Sequence, residues 1–415
     1  MPYDLLTSTD NAIGDAIERE HQLQRRNLMM IASENEASDA VKRAQGTMLT
    51  NRNALGYPDS RLYPGSQHID EIESLAIAYA EELWSAEHVN VQPHSGSLAN
   101  LAVYLAVLNP GDKILALDPQ DGGHITHGSD HHVSGELYDT EFYHLDPESG
   151  AIDYRSLEER ADRIDPDLII SGYSTYPREI DWQRIQAIAN RTNAYHLADI
   201  AHLSGLIAAG RFPSPVGIAD FCTSSTYKTI RAGRGGMILC DHAYAEAVDN
   251  ALFPMLQGGA TMSNIAGKAI GFAEARTDAF KTYIDQVIAN ARTLSEALVE
   301  RGLEIFTGGT DTHIVLIDLR HADEGRSGRD VEHALEKAGI IANRVSLPHT
   351  QHATNTDGIR LGTTSITANG LETRHMEHVA DFIARAIENV TNDSALETIS
   401  QEITEFTETA YHPSP

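Results

Sequence analysis

The sequence has very few cysteines, and this scarcity excludes one class of protein. Only Cys222 and Cys240 occur among 415 residues, which excludes a disulfide framework and predicts a protein of the reducing cytoplasm. No apolar run reaches the roughly 18 residues that a membrane-spanning helix needs. The first fifteen residues have neither a basic start nor an apolar core, so we expect no signal peptide. These absences predict a cytoplasmic protein without a membrane segment.

Basic residues are also scarce. Sixty Asp and Glu against 31 Lys and Arg give a formal net charge of −29. A surface of this charge repels nucleic acid and anionic membranes. Because the acids are spread along the whole chain, we interpret them as a solvated, halophilic type of surface rather than as a site for one acidic-partner function. Only six lysines accompany 25 arginines (31 − 6), so a lysine outside a helix surface calls for an explanation.

Alternating elements predict the fold class. Seven apolar strands recur between residues 88 and 241, and helical segments separate most of them. This alternation is typical of an α/β protein with helices on both faces of a mostly parallel sheet. A helix over 262–302 is predicted to lead to a second, smaller α/β region. Another helix is predicted over 11–32, and the Gly-, Pro- and Asn-rich stretch 51–68 predicts an extended loop.

Polar residues follow two of the predicted strands, where ligands of open α/β sheets bind. Ser95, Gly96 and Ser97 stand at the start of a predicted helix, where N–H groups and hydroxyls can hold a phosphate. An ordinary helix N-cap explains the same residues. Asp199 ends another strand, three residues before His202. Its carboxylate could bind a protonated ring nitrogen, a metal or a ribose, or could cap the next helix.

Histidines cluster in the stretch GGHITHGSDHH, residues 122–132. Metal binding is one interpretation, but no HExxH or Cys/His framework accompanies the cluster. We therefore favour solvated loop positions for His131 and His132 and predict no metal site. The two glycines before His124 would let its ring approach a flat ligand closely.

Lys228 lies in the stretch STYKTIRAGRGG, directly after a predicted strand. A lysine at a strand end beside hydroxyls can form an imine with an aldehyde, and an ordinary surface lysine is the alternative. The glycine-rich flank disfavours that alternative. A phosphate cradle, a carboxylate, a flat side chain and an amine together are the groups that pyridoxal phosphate requires.

Seven motifs in the same order resemble the serine hydroxymethyltransferase family. They run from about residue 29 to residue 362 and read IASENEAS, NVQPHSGSLAN, GGHITHGS, DIAHLSGLIAAG, STYKT with RGG, FPMLQGG and GIRLGT. The resemblance implies the fold type I (aspartate aminotransferase-like) α/β fold, with pyridoxal 5′-phosphate as cofactor. Within that fold we place an N-terminal helical arm at 1–50, a large cofactor-binding domain at 51–280 and a small C-terminal α/β domain at 281–415.

The resemblance also implies roles for individual residues. Lys228 takes the Schiff-base position, Asp199 that of the pyridine-nitrogen partner and His124 that of the ring-stacking residue. The other cofactor-binding positions are Ser95, Gly96, Ser97, Ser174, His202, Thr226, Gly258 and Gly259. The last two match glycines that reach the phosphate from the partner subunit, so the resemblance implies a homodimer with shared active sites and leaves a tetramer open. Arg360 and Ser33 match the groups that hold the substrate carboxylate, a role that suits the arginine fork.

The chain departs from the family around one pocket. Where the family has tyrosine-alanine-glutamate-glycine-tyrosine-proline, residues 53–58 read NALGYP, and Leu55 replaces the glutamate that acts as acid/base and contacts folate. A leucine side chain can neither transfer a proton nor accept a hydrogen bond. Further replacements fall at Asn53, Leu62, Val345 and Tyr227. Each pterin group left unpaired beside leucine or valine would cost roughly 1–3 kcal/mol.

From these departures we predict an aldolase-like enzyme that uses pyridoxal phosphate and needs no tetrahydrofolate. It would reversibly cleave the Cα–Cβ bond of a β-hydroxy amino acid of the serine or threonine type, with His124, Tyr63 or Tyr227 as the base. One alternative is the family's folate-dependent transfer between serine and glycine. Another is racemisation or transamination on the same scaffold. A relative that only binds cofactor or a partner is disfavoured by the intact lysine, aspartate and arginine.

Overall fold

The structure, a computed structural model, describes residues 4–320, 327–348, 350 and 356–412. Its α-helices are α1 (Asp4–Thr9), α2 (Asn11–Arg26), α3 (Asp39–Gln45), α4 (Gln67–Trp84), α5 (Gly96–Val107), α6 (Val133–Leu137), α7 (Tyr154–Ile164), α8 (Trp182–Thr192), α9 (Ser204–Ala208), α10 (Ala245–Asn250), α11 (Met262–Ala275), α12 (Asp278–Glu300), α13 (Gly328–Lys337), α14 (Thr364–Ala368), α15 (Met376–Glu388) and α16 (Asp393–Ala410). Its strands are β1 (Leu28–Met29), β2 (Gly56–Tyr57), β3 (Ser60–Arg61), β4 (His88–Asn90), β5 (Lys113–Leu117), β6 (Asp139–Tyr143), β7 (Leu168–Ser171), β8 (Tyr195–Asp199), β9 (Phe221–Ser225), β10 (Gly236–Cys240), β11 (Glu304–Ile305), β12 (Ile314–Asp318), β13 (Ile340–Ile341), β14 (Asn343–Val345) and β15 (Gly358–Gly362). None of the helices in this part of the chain is both long and apolar enough to cross a membrane.

A seven-stranded sheet forms the centre of the molecule, in the order β4-β10-β9-β8-β7-β5-β6. Strands β5 to β9 pair in parallel, whereas β10 runs antiparallel to both of its neighbours. Alternate residues of β5 enter different apolar clusters, Leu115 and Leu117 on one face and Ile114 and Ala116 on the other. Both faces of the sheet are therefore covered, as a parallel sheet requires. The predicted α/β class and mostly parallel seven-stranded sheet are confirmed.

A smaller antiparallel sheet, in the order β11-β12-β15-β14, lies towards the C-terminus. Helices α12, α13, α15 and α16 supply apolar side chains to the cluster that packs on it. Leu28 and Met30 belong to the same cluster, and β1 pairs in parallel with β13. Residues 28–30 are thereby fixed to the C-terminal region, next to the segment that contains Ser33.

The bounds of three predicted elements differ in the structure. The helix predicted over 11–32 ends at Arg26 because the following residues pair as β1. The helix predicted over 262–302 is two helices, α11 and α12, and the side chain of Thr277 caps the second by accepting from Phe280 N at 3.3 Å. The predicted loop 51–68 contains the short β2–β3 pair and the first turn of α4.

Candidate active site

One cavity lies beyond the C-terminal ends of the parallel strands, among the loops that follow β4, β5, β7, β8 and β9. Its walls are formed by Ser95, Gly96, Ser97, His124, His127, Tyr173, Ser174, Asp199, Ala201, His202, Ser225, Tyr227 and Lys228. Parallel strands bring residues that are far apart in sequence to one edge of a sheet. Most of the strand-end positions predicted from the sequence therefore meet here.

Lys228 points into this cavity and is only 8% exposed. Burial lowers the pKa of Lys228 to about 8; nearby Asp199 acts to raise that pKa, and Arg360 lowers it. The Lys228 carbonyl accepts hydrogen bonds from Asn35 Nδ2 at 2.8 Å and from Arg231 N at 3.1 Å. The alternative of a surface lysine is thus wrong. A buried lysine with a lowered pKa has an amine that is partly neutral near pH 7 and hence nucleophilic.

Asp199 ends β8 with its carboxylate in the cavity. Oδ2 accepts from Asn100 Nδ2 at 2.9 Å and from His127 Nε2 at 3.1 Å, and Oδ1 accepts from Ala201 N at 3.0 Å. Burial alone would raise the pKa of Asp199, but the hydrogen bonds from His127 and Asn100 and the adjacent imidazoles hold that pKa well below its usual range. The next helix is not capped by this side chain. Asp199 is therefore a fixed buried anion.

The start of α5 lines the cavity with Ser95, Gly96 and Ser97. Ser95 caps the helix by accepting from Leu98 N at 3.2 Å, so the N-cap explanation of this residue also holds. A Cβ added to Gly96 would lie 3.2 Å from Ser225 N, which shows how closely the two backbones approach. The hydroxyl of Ser225 is buried and has no hydrogen-bond partner among the described residues. An unpaired hydroxyl beside a helix N-terminus suits a phosphate group.

Burial lowers the pKa of two cavity histidines, His124 and His202, so that both rings are neutral at pH 7. Burial first, and the neighbouring His127 second, lower the pKa of His124 to about 4. The ring of His202 stacks on His313, with centroids 5.5 Å apart and an interplanar angle of 15°. In the described part of the chain no group of His, Cys, Asp and Glu residues is arranged to hold a metal ion. Outside the cavity, His131 is exposed and His132 caps α6.

Arg360 reaches the edge of the cavity from β15. Its Nη1 donates to Ser174 O at 2.8 Å and its Nε to Asn343 Oδ1 at 3.2 Å. Burial lowers the pKa of Arg360 to about 10, which leaves the guanidinium charged at neutral pH. The other predicted carboxylate ligand, Ser33, follows Ala32, and a Cβ added to Gly362 would lie 2.4 Å from Ala32 Cα. The small sheet thus brings Arg360 to the cavity, and Ser33 follows a residue that packs against the same strand.

Comparisons with known proteins agree with this geometry. A family model described as "Serine hydroxymethyltransferase" matches residues 6–383. A protein of that name from Halobacterium salinarum is 51% identical over 98% of this chain and 99% of its own length. Its namesakes from Haloquadratum walsbyi and Haloarcula marismortui are each 50% identical, over 97% and 98% of this chain and 97% and 99% of their own. The chain belongs to the serine hydroxymethyltransferase family.

The residues of this serine hydroxymethyltransferase family member fit the pyridoxal phosphate on which the family depends. The unpaired Ser225 hydroxyl and the start of α5 suit its phosphate. The anion of Asp199 suits a protonated pyridine nitrogen, and the amine of Lys228 suits the aldehyde. These three groups line the same cavity.

Tyr63, Gly258 and Gly259, which were predicted as site residues, do not line the cavity of their own chain. Tyr63 is 48% exposed, and Gly258 has no atom near the position of an added Cβ. A Cβ added to Gly259 would lie 2.4 Å from Asn53 Oδ1, and Ala54 pairs with Ala260 in an isolated bridge. Gly259 therefore lies against the start of the 53–63 stretch, away from Lys228.

Thr226, which was predicted to bind the cofactor, is not part of the cavity wall, and the sequence analysis did not name Ser225, His127 or Asn100 as site residues. The hydroxyl of Thr226 donates to Gly233 O at 2.6 Å, whereas the adjacent Ser225 lines the cavity. Alternation along β9 could have identified Ser225, because successive side chains of a strand point to opposite faces. His127 and Asn100 reach Asp199 only through tertiary packing, so no local signal marks their role.

Proposed function

We propose that the protein transfers a hydroxymethyl group between serine and tetrahydrofolate, with glycine as the other amino acid and pyridoxal phosphate attached at Lys228. The meeting of Lys228, Asp199 and the start of α5 in one buried cavity is the observation that supports it. Relatives about half identical over nearly their whole length support this transfer over the folate-independent cleavage that the sequence analysis preferred.

Each of these residues has a separate role in the proposed reaction. When bound, pyridoxal phosphate draws electrons away from the substrate Cα and so weakens its bonds. Asp199 holds a negative charge where a protonated ring nitrogen would lie, and the neutral ring of His124 offers a flat face. Arg360 binds the carboxylate of the amino acid. By fixing that carboxylate it orients the bond between Cα and Cβ.

Arg360→Lys is expected to raise the KM for serine by about 10- to 100-fold and to change kcat much less. Lysine keeps the charge but loses the fork that grips a carboxylate with two hydrogen bonds, each worth roughly 1.5–3 kcal/mol when charged. Steady-state kinetics with varied serine measure this effect. Arg301→Lys, which alters an arginine paired with Glu377, is the control and should leave KM unchanged. A KM within threefold of wild type for Arg360→Lys would remove this residue from the carboxylate site.

Attachment of pyridoxal phosphate to the apoprotein is expected to accelerate about tenfold between pH 7 and pH 9 and then to level off. The neutral amine is the nucleophile, and the pKa of Lys228 is lowered to about 8 by burial, so its neutral share rises from about a tenth to about nine tenths over this range. Stopped-flow absorbance at saturating cofactor measures the rate. A rate that still climbs tenfold per pH unit above pH 9 would indicate a lysine with the ordinary value of 10.5.

The stretch 53–63 is proposed to act in the site of a second copy of the chain. Tyr63 and Leu62 are exposed, and the same surface carries Gly259. A homodimer in which each copy completes the other's cavity would use these exposed residues. Leu55 would then face the tetrahydrofolate of the partner site, and its side chain contributes no proton there. The leucine at position 55, where the family has a glutamate, is the observation that favours folate-independent cleavage as a second candidate function.

Glycine formation from serine, measured with and without tetrahydrofolate, separates the two candidates. The proposed transfer predicts glycine formation at least about tenfold faster with tetrahydrofolate, and Leu55→Glu should increase this dependence by restoring a proton-transferring group. Val299→Glu places the same charge on the exposed surface of α12 and should not increase it. If serine or threonine is cleaved at the same rate with and without tetrahydrofolate, the second candidate is favoured instead.

A further inference from the structure

Lys268 is a buried charged side chain that has no part in the proposed reaction. It is 1% exposed within α11. Its Nζ donates to three carbonyl oxygens, those of Val91 at 2.7 Å, Gly236 at 2.9 Å and Pro93 at 3.2 Å. Three acceptors require three N–H donors, which an ammonium has and a neutral amine lacks. The geometry therefore fits a protonated lysine that is held by backbone carbonyls and forms no ion pair within the described residues.

The three carbonyls belong to the two backbone segments that frame the phosphate end of the cavity. Val91 and Pro93 lie between β4 and α5, and Pro93 is two residues before Ser95, the N-cap of α5. Gly236 is the first residue of β10, and its N–H donates to Pro93 O at 2.8 Å. Lys268 thus connects the start of β10 to residues 91–95, the segment that leads into α5.

Lys268 also packs against the glycine turn that follows Lys228. A Cβ added to Gly235 would lie 2.4 Å from both Cε and Nζ of Lys268, so the close approach requires glycine here. The Gly235 carbonyl accepts from Thr226 N at 3.0 Å, two residues before Lys228. One ammonium is therefore in contact with the backbone behind the phosphate-binding turn and with the turn that carries the reactive lysine.

The positive charge of Lys268 would attract an anion bound nearby. A buried cation is screened much less than one on the surface. Burial lowers the pKa of Lys268 to about 7, and Glu73 acts to raise it, while the three carbonyls favour the protonated form by hydrogen bonding to it. A phosphate bound at the start of α5 would be attracted by this cation, which contacts the backbone two residues before the N-cap of that helix.

We infer that Lys268 is a positioning residue for the phosphate of pyridoxal phosphate, because its ammonium fixes the backbone of the phosphate-binding turn and supplies positive charge behind it. This inference rests on the proposed cofactor. A purely structural lysine would stabilise the fold without distinguishing a ligand that carries a phosphate from one that lacks it.

Titration of the apoprotein with pyridoxal phosphate and with pyridoxal, which has no phosphate, tests the inference. Lys268→Met removes the charge and the donors at similar length. It is expected to raise the Kd for pyridoxal phosphate by about tenfold or more, the loss that corresponds to at least one charge-assisted hydrogen bond. The Kd for pyridoxal should stay within about threefold of wild type. Cofactor absorbance and quenching of intrinsic fluorescence report both ligands without any measurement of activity.

Asn290→Leu is the matched control. Asn290 is also fully buried and donates to Thr367 Oγ1 and Leu371 O, both at 2.8 Å, but it lies away from the cavity. The Asn290→Leu variant should have lower thermal stability, and the ratio of its Kd values for pyridoxal phosphate and pyridoxal should be unchanged.

Equal weakening of both ligands by Lys268→Met, or no weakening, would overturn the inference. If Lys268→Met does not fold, Gly235→Ala replaces it, because the added Cβ displaces the ammonium, and the same selective loss is expected. A wild-type apoprotein that binds neither ligand would instead refute the proposed cofactor.

Discussion

Lys228→Met is expected to abolish covalent retention of pyridoxal phosphate and to lower kcat by about 10²–10⁴-fold, the range for a residue that moves protons and forms bonds at the reacting centre. Lys228 is the amine that lines the cavity, and burial lowers its pKa to about 8. Methionine matches the length and leaves the cavity walls in place. Borohydride reduction followed by peptide mass analysis should find the cofactor on the Lys228 peptide of the wild type and nowhere on the variant.

Lys281→Met is the matched control for this experiment. Lys281 is another lysine of this lysine-poor chain, but it is partly exposed and pairs with Asp278 on the surface of α12. Its replacement should change neither kcat nor the labelled peptide. Cofactor found on another lysine of the wild type, or a Lys228→Met variant within tenfold of wild-type activity, would show that a different amine holds the cofactor.

The chemistry of this site could be predicted from the sequence because its residues lie at strand ends. Ser95, Asp199 and Lys228 each end or follow an apolar strand, and a parallel sheet brings such positions to one edge. The order of strands and helices and the residue types in the turns selected these positions, and the resemblance to the family assigned their individual roles. The structure then brings these side chains into one cavity.

The supporting contacts could not be predicted in the same way. His127 and Asn100 hold Asp199 as an anion, yet they lie in a loop and a helix with ordinary local patterns. Lys268 lies in α11, most of whose residues are buried, and its ammonium is satisfied by carbonyls from two distant segments. Such roles depend on tertiary packing, which the spacing of residue types does not encode.

Sequence reasoning also gave too much weight to the group of replacements at Leu55, Asn53, Leu62, Val345 and Tyr227. Leu55 lacks the acid/base group that the family has in its place, and the sequence analysis therefore preferred cleavage without tetrahydrofolate. In the structure the 53–63 stretch lies apart from the cavity of its own chain, beside Gly259. In the proposed homodimer, Leu55 would act in the site of a second copy, and the relatives about half identical to this chain favour the folate-dependent transfer despite this replacement.

Asp199→Asn is expected to lower kcat for serine by about 10²–10³-fold, the usual cost of removing one fixed electrostatic group from a reacting centre. Asparagine preserves the shape of the side chain and its amide oxygen can still accept from His127 Nε2 and Asn100 Nδ2, whereas its NH2 group can no longer accept from Ala201 N. The lost feature is the negative charge that the hydrogen bonds of His127 and Asn100 maintain. Without that charge a bound pyridine nitrogen is not kept protonated and withdraws electrons less strongly. The KM for serine should change by less than about threefold, because Arg360 is untouched.

Asp249→Asn provides a closely matched control for this prediction. Asp249 also accepts from one asparagine and one histidine, Asn90 Nδ2 at 2.7 Å and His88 Nε2 at 3.1 Å, but it does not line the cavity. If a hydrogen-bonded aspartate matters only for stability, the two variants should lose thermal stability alike and keep similar kcat values. If the charge of Asp199 acts on the cofactor, only Asp199→Asn should lose kcat at constant KM. An Asp199→Asn enzyme with more than a third of wild-type kcat would separate this carboxylate from the chemistry and leave it the same structural role as Asp249.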